Sequence, residues 1–185
     1  MQSKNELRRA LIAASRAQSA DALASSDREI AARVRALDEW RRAEAVFLYV
    51  SVRGEPDTRA LIREALEAGR LVAVPRCLEG GAMEARRIRS LDELQPAAYG
   101  LREPTEDAPL IGPERFDLAV IPCLAADRRG MRLGHGAGYY DRYLPRTRAF
   151  RLCLCRGSAL LDALPADAYD AQMDAVITEG ETLRI

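Results

Sequence analysis

The chain has 185 residues, with 28 basic and 28 acidic side chains and a formal net charge of zero. Balanced charge argues against a broad nucleic-acid footprint, which needs a basic stripe, and no run approaches the ~20 apolar residues of a membrane span. There is one lysine, Lys4, and one histidine, His135; a histidine-rich metal site is therefore excluded, and any Ser-His-Asp triad must use His135.

This length suits one α/β domain spanning 1–185, with a core large enough to do without disulfides. Apolar residues make up 48% and aromatics 5%, a balance that suits alanine-rich helices packed closely on a sheet. The opening segment has charges but no apolar core and no small-residue cleavage site, so a cytoplasmic protein is expected. The cysteines are Cys77, Cys123, Cys153 and Cys155. Three lie in apolar runs and read as small buried hydrophobes, and no CxxC is present.

In chain order, the spacing of Leu7, Leu11 and Ala14 predicts a helix over 4–19. Lys4 and Arg8 lie four apart on one face of it. A second helix is predicted over 20–42, with Ile30, Val34 and Leu37 inward and Asp21 or Asp27 as an early cap. These helices form an N-terminal pair over 1–42. Residues 45–50 are a continuous apolar run, as in a strand covered on both faces. A loop over 51–57 leads to a helix over 58–68, which Gly69 stops, and then to a second strand over 71–75. A strand-helix-strand unit of this kind predicts two parallel strands. A shorter strand is expected over 82–88 and a helical turn over 90–94, followed by a loop-rich stretch from Pro96 to Pro113. Strand character returns over 117–122. A loop of about 15 residues follows by this reading, then a short helix over 139–144 and final strands over 150–155 and 174–178.

The segment from Gly130 to Arg142 carries the most chemical information. It follows a strand and opens a helix, where open α/β sheets bind ligands. Gly134, Gly136 and Gly138 alternate, so the backbone can take positive φ and approach a ligand closely. Their amides can form an anion-binding nest, and Arg132 adds a planar, permanently charged phosphate partner. The loop is neither a Walker A sequence nor GxGxxG. A carboxylate and a guanidinium follow at Asp141 and Arg142, and a carboxylate beside phosphates is a usual way to hold Mg²⁺.

The run from Arg132 to Arg142, Arg-Leu-Gly-His-Gly-Ala-Gly-Tyr-Tyr-Asp-Arg, resembles the signature of the 5-formyltetrahydrofolate cyclo-ligase family, also called 5,10-methenyltetrahydrofolate synthetases. The likeness extends along most of the chain. Lys4 and Arg8 match the family's basic pair. The run from Ser51 to Thr58 matches its Ser-x-x-x-Glu-x-x-Thr element. Further blocks match at Val74–Arg76, Met83 and Tyr99–Pro104. One departure is the run from Pro122 to Ala126, where the family usually carries Pro-Gly-x-Ala-Phe.

The resemblance implies a single three-layer Rossmann-like α/β domain with a mostly parallel sheet, similar to the NagB/RpiA/CoA-transferase-like fold. It implies a ligase that consumes ATP with Mg²⁺ and acts on 5-formyltetrahydrofolate, polyglutamylated or not, as a cytoplasmic monomer without nucleic-acid or membrane partners. By position, ATP would meet Lys4, Arg8, Arg132, Leu133, Gly134, His135, Gly136, Ala137, Gly138, Tyr139 and Tyr140. The folate would meet Val50, Glu55, His135, Gly136, Ala137, Gly138 and Tyr139. Asp141 and Asp174 would hold the metal, and Glu55, Arg132 and Tyr139 would serve the chemistry. Arg76 and Glu103 match motif positions without an assigned role. His135 falls at a variable position and reads as loop filler. A non-catalytic folate- or nucleotide-binding relative, and an isomerase or CoA-transferase-like enzyme on the same scaffold, are the alternatives, because fold does not fix function.

Overall fold

The computed structural model describes residues 3–52 and 54–185, so Arg53 of the Ser51–Thr58 element lies outside the described residues. The helices are α1 (Lys4–Arg16), α2 (Ala20–Ala36), α3 (Asp38–Arg42), α4 (Arg59–Glu67) and α5 (Tyr139–Tyr143). The first strands are β1 (Ala45–Leu48), β2 (Leu71–Cys77), β3 (Met83–Arg87), β4 (Gln95–Pro96), β5 (Arg102–Glu103) and β6 (Leu110–Ile111). They are followed by β7 (Leu118–Pro122), β8 (Ala125–Asp127), β9 (Arg132–Leu133), β10 (Phe150–Leu154), β11 (Leu160–Leu161), β12 (Ala175–Ile177) and β13 (Thr182–Arg184). Among the described residues, no helix is long and apolar enough to cross a membrane.

The main sheet runs β13-β12-β10-β7-β1-β2-β3-β6. Its middle, from β12 to β2, is parallel throughout. The outer strands β13, β3 and β6 are antiparallel, so the expected mostly parallel sheet is present. Both faces are covered. Val46 and Leu48 of β1 point into one cluster with Ile30 and Val34 of α2, Trp40 of α3 and Leu61 and Ile62 of α4. Phe47 points the other way, among Met83, Tyr143, Leu144 and Cys153. Its ring sits 5.0 Å from Tyr143 and 5.5 Å from Phe116, centroid to centroid. All four cysteines are free, and Cys123, Cys153 and Cys155 are buried together in the second cluster, as small hydrophobes.

Three local expectations are corrected. The second helix is not continuous to Arg42: Leu37 is extended (φ −70°, ψ 136°) and separates α2 from α3. The break lets both Leu37 and Trp40 enter the core, and Asp38 and Glu39 supply acids to the new helix start. The cap of α2 is Ser19, whose hydroxyl accepts from the Ala22 amide; Asp21 lies in the first turn, and Asp27 is inside the helix and pairs with Arg156. The loop after β7 is not irregular throughout. It holds β8 and β9, an antiparallel pair to which β11 adds in parallel.

Asp127 holds that small sheet in place. Its side chain is fully buried. It accepts from the amides of Arg129 (2.9 Å), Met131 (3.0 Å) and Leu164 (2.8 Å) and from the Arg129 guanidinium (2.7 Å). Burial alone would raise its pKa, but the hydrogen bonds outweigh it and hold the carboxyl below its ordinary value. Removing the acceptor leaves the buried Leu164 amide and the part-buried Arg129 and Met131 amides unpaired, a fully buried one costing ~1–3 kcal/mol. Asp127→Ala is therefore expected to lower stability by about 2–4 kcal/mol in equilibrium denaturation. Because the folded pKa is depressed, this stabilisation is complete above the unfolded value of ~3.9 and is lost as pH falls through the folded value. Asp127→Asn should flatten that part of the acid limb; an unchanged acid profile would contradict the assignment.

Candidate functional site

The carboxyl ends of β1, β2 and β7 open into a cavity of about 1380 Å³. A single small ligand typically occupies ~300–1,000 Å³, so there is room for two. The parallel direction of these strands puts Val50, Glu55, Cys77 and Pro122 at one edge of the sheet, the usual ligand edge of an α/β fold.

The loop Gly134–Gly138 joins β9 to α5 and forms one wall. Gly136 (φ +103°) and Gly138 (φ +71°) adopt the left-handed backbone that favours glycine. Gly134 does not take positive φ, which corrects the expectation for all three. Its lack of a side chain serves close approach instead: a Cβ there would lie 3.1 Å from Arg132 Nη1.

Helix α1 reaches this wall from the start of the chain. A capping box between Ser3 and Glu6 fixes its first turn. It buries no residue fully, although Leu7 and Leu11 pack against Leu133 and Leu164. Polar contacts complete the docking. Arg8 Nε donates to the Gly134 carbonyl at 2.9 Å, and its guanidinium lies against Gly136. Lys4 Nζ donates to Asp167 at 2.7 Å and to Asp170 at 2.5 Å. Burial pulls the Lys4 ammonium down, but the bonds to both carboxylates outweigh it and leave its pKa raised. Burial pushes Asp170 up, and the bonds from the Asp167 amide and from Lys4 outweigh that and leave it lowered.

Arg132 sits behind the loop with its side chain 4% exposed. Its Nη2 donates to Asp141 Oδ1 at 2.7 Å, and its guanidinium lies 5.5 Å from the Tyr140 ring centre. Nε is buried without a hydrogen-bond partner among the described residues. Asp141 Oδ1 also accepts from the amide of Ala171, the residue after Asp170, at 3.3 Å. Glu55 enters the cavity from the loop between β1 and α4, its side chain 8% exposed. Its Oε2 accepts from the Val52 amide at 3.0 Å, and its Oε1 lies 3.5 Å from His135 Nε2. Glu55 does not cap α4, where Asp57 accepts from the Arg59 amide. Tyr140 packs against both core clusters, and burial raises its pKa well above the ordinary value. Tyr139 lines the cavity near Cys77.

The cavity thus gathers Lys4, Arg8, Val50, Glu55, Asp141 and the whole run from Arg132 to Tyr140. Asp174 is not brought there. It precedes β12, at the amino end of the parallel strands, and its carboxylate accepts from the Arg151 amide at 2.7 Å. Asp170, four residues earlier, lines the cavity instead. Sequence pattern missed it because residues 162–173 carry no periodicity, but strand polarity alone argued against Asp174. Glu103 lines the cavity and accepts from the Cys77 amide, whereas Arg76 pairs with Glu106 outside it.

Cys77 is the cysteine that lines the cavity. Burial and the neighbouring Glu103 push its thiol up to about 12. A thiol so protonated is a poor nucleophile at neutral pH. Alkylation of Cys77 at pH 8 should therefore be more than about a hundredfold slower than that of a free thiol of pKa ~8.5; a rate near the free-thiol value would overturn this description.

The 5-formyltetrahydrofolate cyclo-ligase family model matches residues 1–179. A Schizosaccharomyces pombe protein named "Probable 5-formyltetrahydrofolate cyclo-ligase" is 31% identical over 98% of this chain and 97% of its own. The 5-formyltetrahydrofolate cyclo-ligase of Mycolicibacterium smegmatis is 37% identical over 72% of each chain. The NMR structure of Aquifex aeolicus 5,10-methenyltetrahydrofolate synthetase superposes with a TM-score of 0.87 at 30% identity, covering 98% of this chain and 92% of that one.

Proposed function

Because the chain belongs to the 5-formyltetrahydrofolate cyclo-ligase family, we propose that it converts 5-formyltetrahydrofolate and ATP into 5,10-methenyltetrahydrofolate, ADP and phosphate. The observation that carries this reading is the docking of Arg8 on the glycine loop, with Lys4 one turn away on the same cavity that also holds Glu55. Cations and open backbone suit a polyphosphate on that side. The volume leaves space for a second substrate beside it.

The chemistry needs activation, because a formamide oxygen leaves poorly. Transfer of the γ-phosphoryl group from ATP to that oxygen forms an O–P bond and releases ADP. N10 then attacks the formyl carbon, and the C–O bond breaks with loss of phosphate. Catalysis of this kind is mainly positioning and charge neutralisation. Lys4, Arg8 and Arg132 offset phosphate charge. The unpaired Arg132 Nε supports such a role, since a buried donor without an acceptor costs ~1–3 kcal/mol. Val50 and Glu55 face the folate, with Glu55 orienting a nitrogen near the reacting centre, and Tyr139 lies between the two ligands. The depressed acidity of Cys77 and the single histidine fit a route without a covalent enzyme intermediate.

Among the described residues no cluster of three or more His, Cys, Asp or Glu side chains could hold a metal by itself. Asp141 and Asp170 both line the cavity, and Mg²⁺ is commonly held by one or two carboxylates with phosphate oxygens and water, so these two are the residues that would hold it. Asp170 replaces Asp174 as the second candidate ligand. Bound there, the ion would neutralise charge on the transferring phosphoryl group. On this reading Lys4 and Arg132 exchange part of their present contact with Asp170 and Asp141 for the phosphates.

Purified protein mixed with 5-formyltetrahydrofolate and MgATP should produce the near-ultraviolet absorbance of the methenyl product, and a control lacking ATP should not. Binding without turnover would favour a non-catalytic relative, and ATP-independent conversion a different enzyme. Lys4→Ala should lower kcat/KM for ATP roughly 10–100-fold, the loss of one charge-assisted hydrogen bond. Asp141→Asn should weaken the magnesium dependence strongly. His135→Ala should stay within about threefold of the parent, as expected for an exposed side chain with no proton to move in this chemistry.

A further inference from the structure

Arg156 follows β10 and is 7% exposed. A guanidinium is a costly group to bury, and its surroundings account for it donor by donor. Nε donates to the Gly54 carbonyl at 3.3 Å, and Nη2 donates to the Glu55 carbonyl at 3.0 Å. Nη1 donates to the Leu23 carbonyl at 3.2 Å, and Nη2 also to Asp27 Oδ1 at 2.7 Å. One side chain therefore links the end of β10, helix α2 and the loop that carries Glu55. Arg156 does not line the cavity.

The loop is bracketed further by the partners of Arg156. Asp27 Oδ1 accepts from the Asp57 amide at 3.0 Å, and Asp57 Oδ1 accepts from the Ser51 hydroxyl at 2.8 Å. Between these anchors the Glu55 amide donates to the Val52 carbonyl, and the Val52 amide donates to Glu55 Oε2. The direction of the Glu55 side chain thus depends on where its own carbonyl and that of Gly54 are held. Both are held by Arg156.

We propose that Arg156, with Asp27 as its counter-ion, is a positioning residue that sets Glu55 in the folate side of the cavity and so tunes affinity for the formylated substrate. This rests on the reading that Glu55 meets the folate. The planar fork is required because two adjacent carbonyls and a carboxylate must be reached from one centre; a lysine ammonium is a point charge and cannot span them in the same geometry. The network meets the nucleotide side at the Glu55–His135 contact and where Gly54 lies against Ser15 of α1, while Lys4, Arg8 and Arg132 are held by other partners.

The test compares Arg156→Lys and the double variant Arg156→Leu/Asp27→Leu with the parent. The double variant leaves no buried charge unpaired, although the carbonyls of Leu23, Gly54 and Glu55 and the Asp57 amide lose a partner, so the melting temperature of each variant is measured beside its kinetics to separate folding from positioning. Both variants should raise KM for 5-formyltetrahydrofolate about tenfold or more, with KM for ATP within about twofold. Amide exchange at Val52 should accelerate in both, because its carboxylate acceptor is no longer fixed. An unchanged folate KM with unchanged Val52 exchange would overturn the proposal. Equal rises in both KM values would overturn it too, by showing general loosening. Should the parent make no methenyl product, the activity reading falls, while Val52 exchange still decides whether Arg156 fixes the loop.

Discussion

A sheet whose strands run parallel must be covered on both faces, and β1 meets that requirement residue by residue. Val46 and Leu48 go to the helices α2, α3 and α4; Phe47 goes to the aromatic and aliphatic cluster around Tyr143. Each fully buried aliphatic side chain contributes ~1.5–3 kcal/mol. The helix must then return the chain to the start of the next strand, so the carboxyl ends of β1, β2 and β7 all arrive at one edge. Everything chemical in the molecule is built on that edge.

Two kinds of attachment meet there. The scaffold is held by apolar burial, which is non-directional. The site is held by hydrogen bonds, which are directional and easily exchanged. Helix α1 buries nothing fully and relies on Arg8 at Gly134 and Lys4 at Asp167 and Asp170. Arg132 is tied to Asp141 in the same way. Each cation has a carboxylate or carbonyl partner that a polyphosphate and its metal could take over, which is how a site of near-zero net charge can accept a highly charged ligand. The loop that carries Glu55 is held differently, by bonds from the buried Arg156 to its backbone carbonyls and from the Asp57 amide to Asp27.

Much of this was legible in the sequence. Continuous apolar runs marked β1, β2 and β7, because a strand buried on both faces has no polar side to show. The glycine loop and its approach by Lys4 and Arg8 followed from the family motif. The break at Leu37 was not legible: the apolar spacing continues smoothly through it, and only the packing of Trp40 beneath the helix requires a turn. The short β8 and β9 were missed because Asp127, rather than any apolar alternation, defines them.

The metal candidates separate the two sources of information most clearly. The sequence by itself determined that carboxylates lie near the end of the chain and that one follows the glycines. The family resemblance pointed to Asp174, and nothing in the irregular chain before it singled out Asp170. The tertiary structure puts Asp170 on the cavity, because strand direction sends Asp174 to the amino end of the parallel strands while Lys4, 166 positions away in sequence, meets Asp170. The same holds for Arg156, which reads as one more arginine among many in the sequence and becomes the support of Glu55 only when β10 and α2 are packed together. Local pattern reports which residues are buried and how the backbone turns. Which charges face one another across a cavity is fixed by packing over long sequence distances, and no local pattern encodes it.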